Sequence, residues 1–397
     1  MPGRPRALVF GTGPAGLMAA TVLARGGIRV ILCEKQKGAG RKLLIAGGSG
    51  LNISSALPNP EFVSGFEGRD IDWTSLFAQY SVADWLAFVE SLGLKTFKGT
   101  SARYFVEEMK ATSLLKRWLT LLEDNSVEIR LGCEARSFRR GSDRGIQVHL
   151  AGGEELHGDA VVFALGGASW LPEGESPAWA QMFHSAGISL RPFTAANCGF
   201  DVKWKDEFLG EVMRRPLKNI VLYTQRGHRK GDVMITEFGI EGSPVYAVGE
   251  VGVAYLDLKP DLTEKAIVQR LASAGENLSP LRRAGRFLKL DPVRKALLFH
   301  HAPAGGLTTI ASLAQTLKKF PLELTASRPL SEAISSRGGI ALSEIDDKFM
   351  LKKTPGVFVA GEMLDWHAPT GGFLIQASVS QGVFAAEGVL RFLRRTA

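Results

Sequence analysis

Three glycines and one glutamate near the amino terminus have the types and spacing needed to bind a dinucleotide. Gly11, Gly13 and Gly16 occur in GTGPAG, a G-x-G-x-x-G motif, and Glu34 follows in the same half of a βαβ pattern. Glycines at these positions permit a tight turn, close approach of the backbone to a pyrophosphate, and close packing of a helix on a strand. The acidic residue accepts hydrogen bonds from a ribose. The motif predicts a dinucleotide site, with a glycine-rich turn of another α/β fold as the alternative.

The segments around this motif are typical of a βαβ unit. Arg6–Phe10 is short and apolar, as expected of a strand buried in a parallel sheet. Residues 17–25 are rich in helix formers and stop at two glycines, and residues 29–33 have the composition of a second buried strand. The amino end of the helix would present unpaired N–H groups and a positive dipole end to phosphates. The predicted site also includes three neighbours of these residues: Pro14, Ala15 and Lys35.

A second glycine-rich stretch follows at residues 38–52, with Arg41 and Lys42 inside it. Each glycine raises the entropic cost of ordering the chain, so we expect neither a helix nor a strand throughout. A backbone that lies close to a flat, phosphate-bearing ligand would explain both the missing side chains and the basic pair; a mobile loop is the alternative. The candidate ligand residues here are Arg41, Lys42, Gly47, Gly48 and Asn52.

Two later apolar strands also run into glycines. Residues 160–167 read AVVFALGG, residues 356–361 read GVFVAG, and TGGF at residues 370–373 opens a helix that is predicted to end at Arg395. In open α/β sheets, ligands bind outside the carboxyl ends of the strands, so these strand ends could converge on one ligand. The candidate ligand residues of this part of the chain are Ala135, Ala164, Leu165, Gly166, Gly167, Gly361, Glu362, Asp365, Thr370, Gly371, Gly372 and Phe373.

Together these motifs resemble the BaiN/YhiN-like family of bacterial FAD-dependent oxidoreductases, within the two-dinucleotide-binding flavoprotein superfamily. The resemblance covers almost the whole chain and rests on GTGPAG, GRKLLIAGGSGLN, ITEFGIEGSPVY and VFVAGEMLDWHAPTGGFLIQ. It implies FAD as cofactor, with Glu34 on the adenosine ribose and Arg41 and Lys42 nearby. It also implies Glu362 and Asp365 near the ribityl chain and pyrophosphate, and residues 370–373 beside the flavin ring.

Two residues are candidates for catalysis beside the flavin. His367 lies in the DWHAPTGG loop, where the resemblance implies proximity to the flavin, and it could transfer a proton near neutral pH. A structural hydrogen bond is the alternative for this histidine. Arg103 matches a family segment that implies a position facing the substrate, with an ordinary salt bridge as the alternative. The chain departs from the family pattern at residues 49–51, where Ser-Gly-Leu replaces Gly-Arg-Cys, and in having ALGG in place of ATGG.

The predicted fold class is α/β: a Rossmann-like FAD-binding domain of three layers with a mostly parallel sheet, and an inserted β-barrel with a small helical subdomain. We predict a discontinuous FAD domain at residues 1–190 and 328–397, the barrel at 191–260 and the helical subdomain at 261–327. Within the insertion, residues 219–224 and 232–236 predict a hairpin. Two helix starts follow: Asp261 with Glu264 predicts a capping box, and Asp291-Pro292 predicts an N-cap with a proline at the first helical position. The resemblance implies that the insertion covers the substrate.

Composition excludes several classes of protein. With 45% hydrophobic and 22% charged residues in 397, intrinsic disorder and a coiled coil are excluded. We see no apolar run near the roughly 18 residues of a membrane span and no secretory signal, and the three dispersed cysteines indicate neither disulfides nor zinc. We therefore expect a cytoplasmic protein with no metal and no membrane partner.

The net charge of +8 is compatible with an anionic partner. Four basic residues could lie along one face of a helix and attract RNA or an anionic substrate, or could simply be solvated: Arg282, Arg283, Arg286 and Lys289. The predicted function is an FAD-dependent oxidoreductase of a small organic substrate, a reductase of a conjugated double bond with NADH or NADPH as transient donor. Alternatives are an amine or alcohol oxidase, or an FAD-containing RNA-binding or RNA-modifying protein.

Overall fold

The structure, a computed structural model, describes residues 4–47, 51–68, 70–99, 102–141, 145–172, 175–273 and 278–396. The chain divides into two compact units. Unit 1 is discontinuous and consists of Met1–Thr194 and Ser336–Ala397, and unit 2 is Ala195–Ser335. The chain passes between the units inside two strands, so the observed limits lie a few residues beyond the predicted limits at 190 and 328.

The elements before unit 2 are eleven strands and seven helices within the described residues. The strands are β1 (Arg6–Phe10), β2 (Arg29–Glu34), β3 (Asn52–Ser55), β4 (Thr96–Lys98), β5 (Arg103–Val106), β6 (Glu128–Leu131), β7 (Ala135–Arg140), β8 (Ile146–Leu150), β9 (Glu155–Gly158), β10 (Ala160–Phe163) and β11 (Leu190–Ala196). The helices are α1 (Pro14–Arg25), α2 (Arg41–Ala46), α3 (Asn59–Ser64), α4 (Trp73–Gln79), α5 (Val82–Ser91), α6 (Ala111–Asp124) and α7 (Ala178–Ser185).

Unit 2 and the return to unit 1 supply the remaining elements. In unit 2 these are β12 (Phe200–Asp201), α8 (Asp206–Val212), β13 (Pro216–Thr224), β14 (Gly227–Ile235), β15 (Gly239–Glu241), α9 (Ser243–Val248), β16 (Gly252–Asp257), α10 (Glu264–Ala272), α11 (Pro280–Phe287), α12 (Pro292–His301), α13 (Ile310–Lys318) and β17 (Phe320–Leu324). The last elements are β18 (Ser335–Ile340), β19 (Val357–Val359) and α14 (Phe373–Thr396), with short 3₁₀ turns at Leu330–Glu332 and Leu342–Glu344.

A five-stranded sheet forms the centre of unit 1, in the order β19-β10-β1-β2-β6. Each neighbouring pair is parallel, which confirms the predicted Rossmann-like architecture. The strands β19, β10, β1 and β2 are short apolar runs that are largely buried, as parallel sheets require, whereas the edge strand β6 is partly exposed. Two three-stranded antiparallel sheets, β3-β5-β4 and β7-β8-β9, complete the unit with the pair β11-β18. The parallel order brings the carboxyl ends of four strands named in the sequence prediction to one edge.

Helix α14 packs against α1 and belongs to the core of unit 1. Gly382 makes this close crossing possible, because a Cβ there would lie 2.3 Å from the Ala15 carbonyl oxygen. Among the described residues, the part Phe373–Arg395 is the one helix long and apolar enough to cross a membrane. However, 78% of its most apolar window is buried within the protein. The sequence expectation that no segment reaches this length was therefore wrong. Helix α14 is nevertheless a core helix of unit 1, because most of this window is buried.

The six strands of unit 2 form one antiparallel sheet in the order β12-β15-β14-β13-β16-β17. Its two edges are joined, because the Thr325 amide donates to the Asp201 carbonyl at 2.9 Å and the Asp201 amide donates to the Ala326 carbonyl at 2.8 Å. The sheet is therefore closed, as the predicted barrel requires. The predicted helical segment 261–327 needs correction, since it also contains β17, which pairs with β16.

Two helix starts in unit 2 were predicted from capping residues. At α12, Asp291 accepts a hydrogen bond from the Arg294 amide at 2.9 Å and Pro292 follows, as expected. At α10, we expected Asp261 with Glu264 to form a capping box, and this was wrong. The N-cap is Thr263, whose hydroxyl accepts from the Ala266 amide at 3.2 Å.

Substitutions of Thr263 and of Asp261 should differ in their effect on the stability of the protein. Thr263→Ala removes a cap, and we expect it to lower the free energy of unfolding by about 1 kcal/mol. Asp261→Ala removes an exposed ion pair with Lys230 and a bond from Asn219, and solvent screens such a pair so strongly that we expect a smaller loss than for the cap. Urea denaturation of both variants would check this order. A larger loss for Asp261→Ala would contradict the cap assignment.

Candidate cofactor site

The turn between β1 and α1 contains glycines that have different structural roles. Gly11 has φ +104°, and a Cβ there would lie 2.2 Å from the Ala164 carbonyl oxygen; a Cβ at Gly16 would lie 1.9 Å from the Gly11 carbonyl oxygen. Neither position can accept a side chain. Gly13 has ordinary extended angles, φ −73° and ψ 176°, and a Cβ there would meet no atom within 4 Å. The space beside Gly13 is therefore open.

The amino end of α1 has the features of an anion site. Gly13 is its N-cap, and no side chain caps the helix. Its first-turn N–H groups are therefore available to a ligand, and the helix dipole favours negative charge there. Pro14, Ala15 and Gly16 form the first turn itself.

Glu34 lies at the end of β2, where the protein holds its carboxylate in place. Oε2 accepts from the Thr12 amide at 3.1 Å and from the Thr12 hydroxyl, and Oε1 accepts from the Gln36 amide at 3.0 Å. The Thr12 hydroxyl also accepts from the Gly40 amide at 2.9 Å. A carboxylate oxygen can accept two hydrogen bonds, so Oε1 has capacity for one more donor, such as a ribose hydroxyl. Thr12 was not predicted as a site residue, although it lies inside the motif.

A cavity of 370 Å³ opens over the turn, Glu34 and the loop after β10. The predicted site residues that border it are Gly11, Gly13, Glu34, Lys35, Arg41, Lys42, Ala135, Ala164, Leu165, Gly166 and Gly167. Residues that border it and were not predicted include Thr12, Cys33, Gln36, Cys133, Ser169, Trp170 and Trp179. The indole N–H of Trp179 donates to the Gly166 carbonyl at 3.1 Å, a contact for which the sequence carries no signal.

Lys42 ties the second glycine-rich stretch to the loop after β10. Its ammonium donates to the Gly167 carbonyl at 3.0 Å and to the Ser169 hydroxyl at 3.1 Å. Burial lowers the pKa of Lys42, and burial raises the pKa of Glu362, while the attraction between the two groups opposes both shifts. Lys42 therefore positions this loop. Arg41 is exposed at the rim of the cavity.

The stretch at residues 38–52 is more regular than expected. Arg41–Ala46 is helix α2, because its apolar helix formers are flanked by glycines that act as caps. Gly40 precedes the helix with φ +66°. Gly47 ends it, and a Cβ there would lie 2.4 Å from that of Ala111, so this glycine permits packing on α6. Gly48 lies outside the described residues, and Asn52 begins β3.

The predicted residues after β19 do not border the 370 Å³ cavity, although two of them lie near its walls. A Cβ at Gly361 would lie 3.1 Å from that of Ala15, at the start of α1. A Cβ at Gly167 would lie 3.2 Å from the Glu362 carbonyl oxygen. The segment that follows β19 therefore lies against the first turn of α1 and against the loop after β10. Asp365 is half-buried, and its amide donates to the Ile340 carbonyl.

The TGGF turn, residues 370–373, lies against the sheet β3-β5-β4. Gly372 has φ +91°, and a Cβ there would lie within 2.6 Å of three backbone atoms of Ser54. A Cβ at Gly371 would lie 3.0 Å from Nε of Arg103, so the structure places this arginine beside the turn. Phe373 begins α14, and its ring lies 4.8 Å from that of Phe62. Only glycine fits at position 372.

His367 is buried, and its backbone pairs with Glu67: the Glu67 amide donates to the His367 carbonyl at 2.7 Å. Glu67 in turn forms an ion pair with Arg337 at 2.8 Å. The histidine does not border the 370 Å³ cavity, so its predicted role in proton transfer stays a prediction.

These features fit FAD. The open space at Gly13 and the uncapped end of α1 suit a pyrophosphate, and Glu34 suits the adenosine ribose. The glycines of the TGGF turn would allow backbone amides to approach a flavin ring. Among the described residues, no group of three or more His, Cys, Asp or Glu side chains could hold a metal ion.

Comparison with known proteins supports this interpretation. The profile of the HI0933-like protein Rossmann domain matches residues 5–388. Two relatives named ribosomal RNA dihydrouridine synthase, from Escherichia coli K12 and Haemophilus influenzae Rd, are 21% and 22% identical. Each alignment covers 97% of this chain and 98% of the relative. The open form of a flavocytochrome c3 fumarate reductase is similar in fold, with a TM-score of 0.51 and 16% identity over 98% of this chain and 79% of that chain.

Proposed function

Because this chain belongs to the HI0933-like Rossmann domain family, we propose that it reduces carbon–carbon double bonds conjugated with a carbonyl group, using FAD. The chain is an FAD-dependent oxidoreductase. What we propose is the direction of the reaction, the electron donor and the substrate. The convergence of the GTGPAG turn, Glu34 and the loop after β10 around one cavity supports the cofactor site, and the names of the two relatives support the choice of a double-bond reduction.

The residues of unit 1 have separate tasks in this proposal. FAD, when bound, supplies hydride or electron transfer, and the protein supplies position and electrostatics. The amino end of α1 would hold the pyrophosphate, and Glu34 would accept from the ribose. The amides at the start of α14, beside Gly371 and Gly372, would stabilise negative charge on the flavin ring.

Two further residues would act on the substrate. Arg103, beside Gly371, would donate hydrogen bonds to the carbonyl oxygen of the conjugated system, because a guanidinium is a donor only. The reduction also requires a proton, for which His367 is the candidate donor. NADH or NADPH is the proposed electron donor. It would bind transiently, since the sequence contains no second G-x-G-x-x-G motif.

The substrate that we favour is a uracil base in RNA. The two relatives are named for dihydrouridine formation, and dihydrouridine differs from uridine by reduction of a double bond conjugated with a ring carbonyl. This reaction unites the predicted reductase with the RNA-modifying alternative. A small organic enone, the substrate class expected from the sequence, is the competing candidate, and an amine or alcohol substrate would require the opposite direction.

An anaerobic experiment would separate these possibilities. The flavin is first reduced with NADH or NADPH, and its reoxidation is then followed with a uridine oligonucleotide, a cyclic enone, and a matched oligonucleotide in which dihydrouridine replaces uridine. We expect reoxidation by the uridine oligonucleotide with equimolar loss of uracil absorbance, and none by the dihydrouridine control. Reduction of the oxidised flavin by amines or alcohols, without reoxidation by any conjugated double bond, would refute the proposal.

A further inference from the structure

We propose that a basic groove in unit 2 binds single-stranded RNA. The groove has a volume of 610 Å³ and is lined by α8, α11 and α12; we call it the helical groove. This inference rests on the proposed function, because RNA would be the substrate, and it adds a binding surface in this chain. The side chains that carry it are Arg282, Arg286, Lys295 and Phe299.

Three cations line the helical groove. Arg282 and Arg286 are exposed and lie four residues apart, so they share one face of α11. Lys295 comes from α12, and Gly285 gives it room, since a Cβ at Gly285 would lie 3.1 Å from Cε of Lys295. Within the described parts of the chain, no carboxylate pairs with any of these three cations. The one acid in the lining, Glu211, is engaged at 3.0 Å by Nε2 of His300.

The other arginines of these helices have structural roles, which shows that the groove cations are a distinct set. Arg283 is buried, and its Nε donates to the Leu278 carbonyl at 2.8 Å. Arg294 is buried too and donates to the Leu258 carbonyl at 2.7 Å. The expectation that Arg282, Arg283, Arg286 and Lys289 share one face was therefore wrong. Arg283 points inward, and Lys289 follows the end of α11.

Exposed aromatic rings accompany the cations. The Phe299 side chain borders the groove and is 69% exposed. Phe287 is 40% exposed, with the Arg286 guanidinium 5.6 Å from its ring centre. Proteins that bind single strands combine cations along the backbone with aromatic rings on which bases stack. A duplex does not offer its base faces, so this combination favours a single strand.

The charge of unit 2 supports the same partner. Residues 195–335 contain 20 lysines and arginines against 15 aspartates and glutamates, a surplus of five in a chain of net charge +8. Such a surplus attracts a polyanion over a long range and makes its binding sensitive to salt. Any polyanion would be attracted by the charge, whereas only a polyanion with bases could also stack on the aromatic ring of Phe299.

The test measures binding of a labelled oligouridylate to the FAD-loaded protein by fluorescence anisotropy over a range of salt. Arg282→Gln with Arg286→Gln should make the slope of log K against log salt shallower by about 1.4, since each phosphate contact on a single strand contributes about 0.7. The matched control is Lys265→Gln with Arg270→Gln, two exposed cations of α10 that do not line the groove. An equal change in both variants, or no RNA binding at low salt, would overturn the proposal.

Phe299→Ala distinguishes RNA from other polyanions. The side chain is mostly exposed, so its loss should leave the fold intact. We expect RNA affinity to fall by about tenfold while heparin affinity stays unchanged, because heparin has no bases to stack. Equal losses for both ligands, or no loss for RNA, would sink the proposal. Flavin reduction by NADPH and reoxidation by an enone are measured in parallel, so that failure of the proposed reaction is recognised separately from failure of RNA binding.

Discussion

Gly13→Ala is expected to weaken FAD binding by about 5- to 150-fold while leaving the apoprotein as stable as the wild type. The backbone at Gly13 has φ −73° and ψ 176°, which alanine adopts without strain. A Cβ there would touch no atom of the protein within 4 Å. It would project into the space beside the amino end of α1, where the pyrophosphate is expected. Overpacking of this kind costs about 1 to 3 kcal/mol, and 1.36 kcal/mol is tenfold in affinity.

The measurement is a titration of apoprotein with FAD, followed by flavin fluorescence, with thermal unfolding of the apoprotein in parallel. Gly152→Ala is the matched control, since a Cβ at this exposed turn also meets nothing within 4 Å, and Gly152 does not border the cavity. Equal FAD affinity for Gly13→Ala and Gly152→Ala would show that no cofactor lies against Gly13.

Glu34→Gln should weaken FAD binding by about 5- to 150-fold. The carboxylate is held by Thr12 and Gln36, which are both donors, and an amide group in its place would direct an N–H toward one of them. The substitution also removes the charged acceptor for the ribose. Loss of one partner of a buried hydrogen-bonded group costs about 1 to 3 kcal/mol, which corresponds to this range.

Glu134→Gln provides the control for charge. Glu134 also borders the cavity, and its carboxylate pairs with Arg136 at 2.9 Å instead of holding the GTGPAG turn. Equilibrium dialysis against FAD would give both affinities. Unchanged retention in Glu34→Gln would mean that the assignment of the βαβ unit as the cofactor site is wrong.

The sequence was sufficient to predict four strands of the parallel sheet, because β1, β2, β10 and β19 are short apolar runs. Strand β1 begins and ends at the predicted residues, Arg6 and Phe10. The strand predicted within residues 160–167 is β10, Ala160–Phe163. The helix α2 was not predicted, since glycines dominate residues 38–52 and the caps at Gly40 and Gly47 became evident only from the backbone angles. The strand β17 was also missed, because it follows four helices and pairs with a partner more than 60 residues earlier.

In the candidate site, the residues of the GTGPAG motif and Glu34 could be predicted from the sequence, whereas the contacts that hold them in place could not. Gly11, Gly13 and Glu34 follow from spacing alone. Thr12 holds Glu34 and Gly40 in place, and Trp179 fixes the loop after β10, through contacts between distant segments. Lys42 was predicted as a site residue, but its contact with this loop was not. Such contacts depend on the order of strands in the sheet, which a single βαβ pattern does not determine. Likewise, the basic residues of 281–295 are evident from the sequence, but only the packing of α11 shows that Arg282 is exposed and Arg283 is buried.

A crystal structure of the protein reconstituted with FAD would show directly whether the GTGPAG turn and the TGGF turn hold one cofactor. We predict one FAD per chain, with its pyrophosphate against Gly13 and the amino end of α1. The adenosine ribose should donate hydrogen bonds to Glu34, and the flavin ring should lie beside Gly371 and Gly372. A chain that takes up no FAD, or an FAD bound away from these turns, would contradict it.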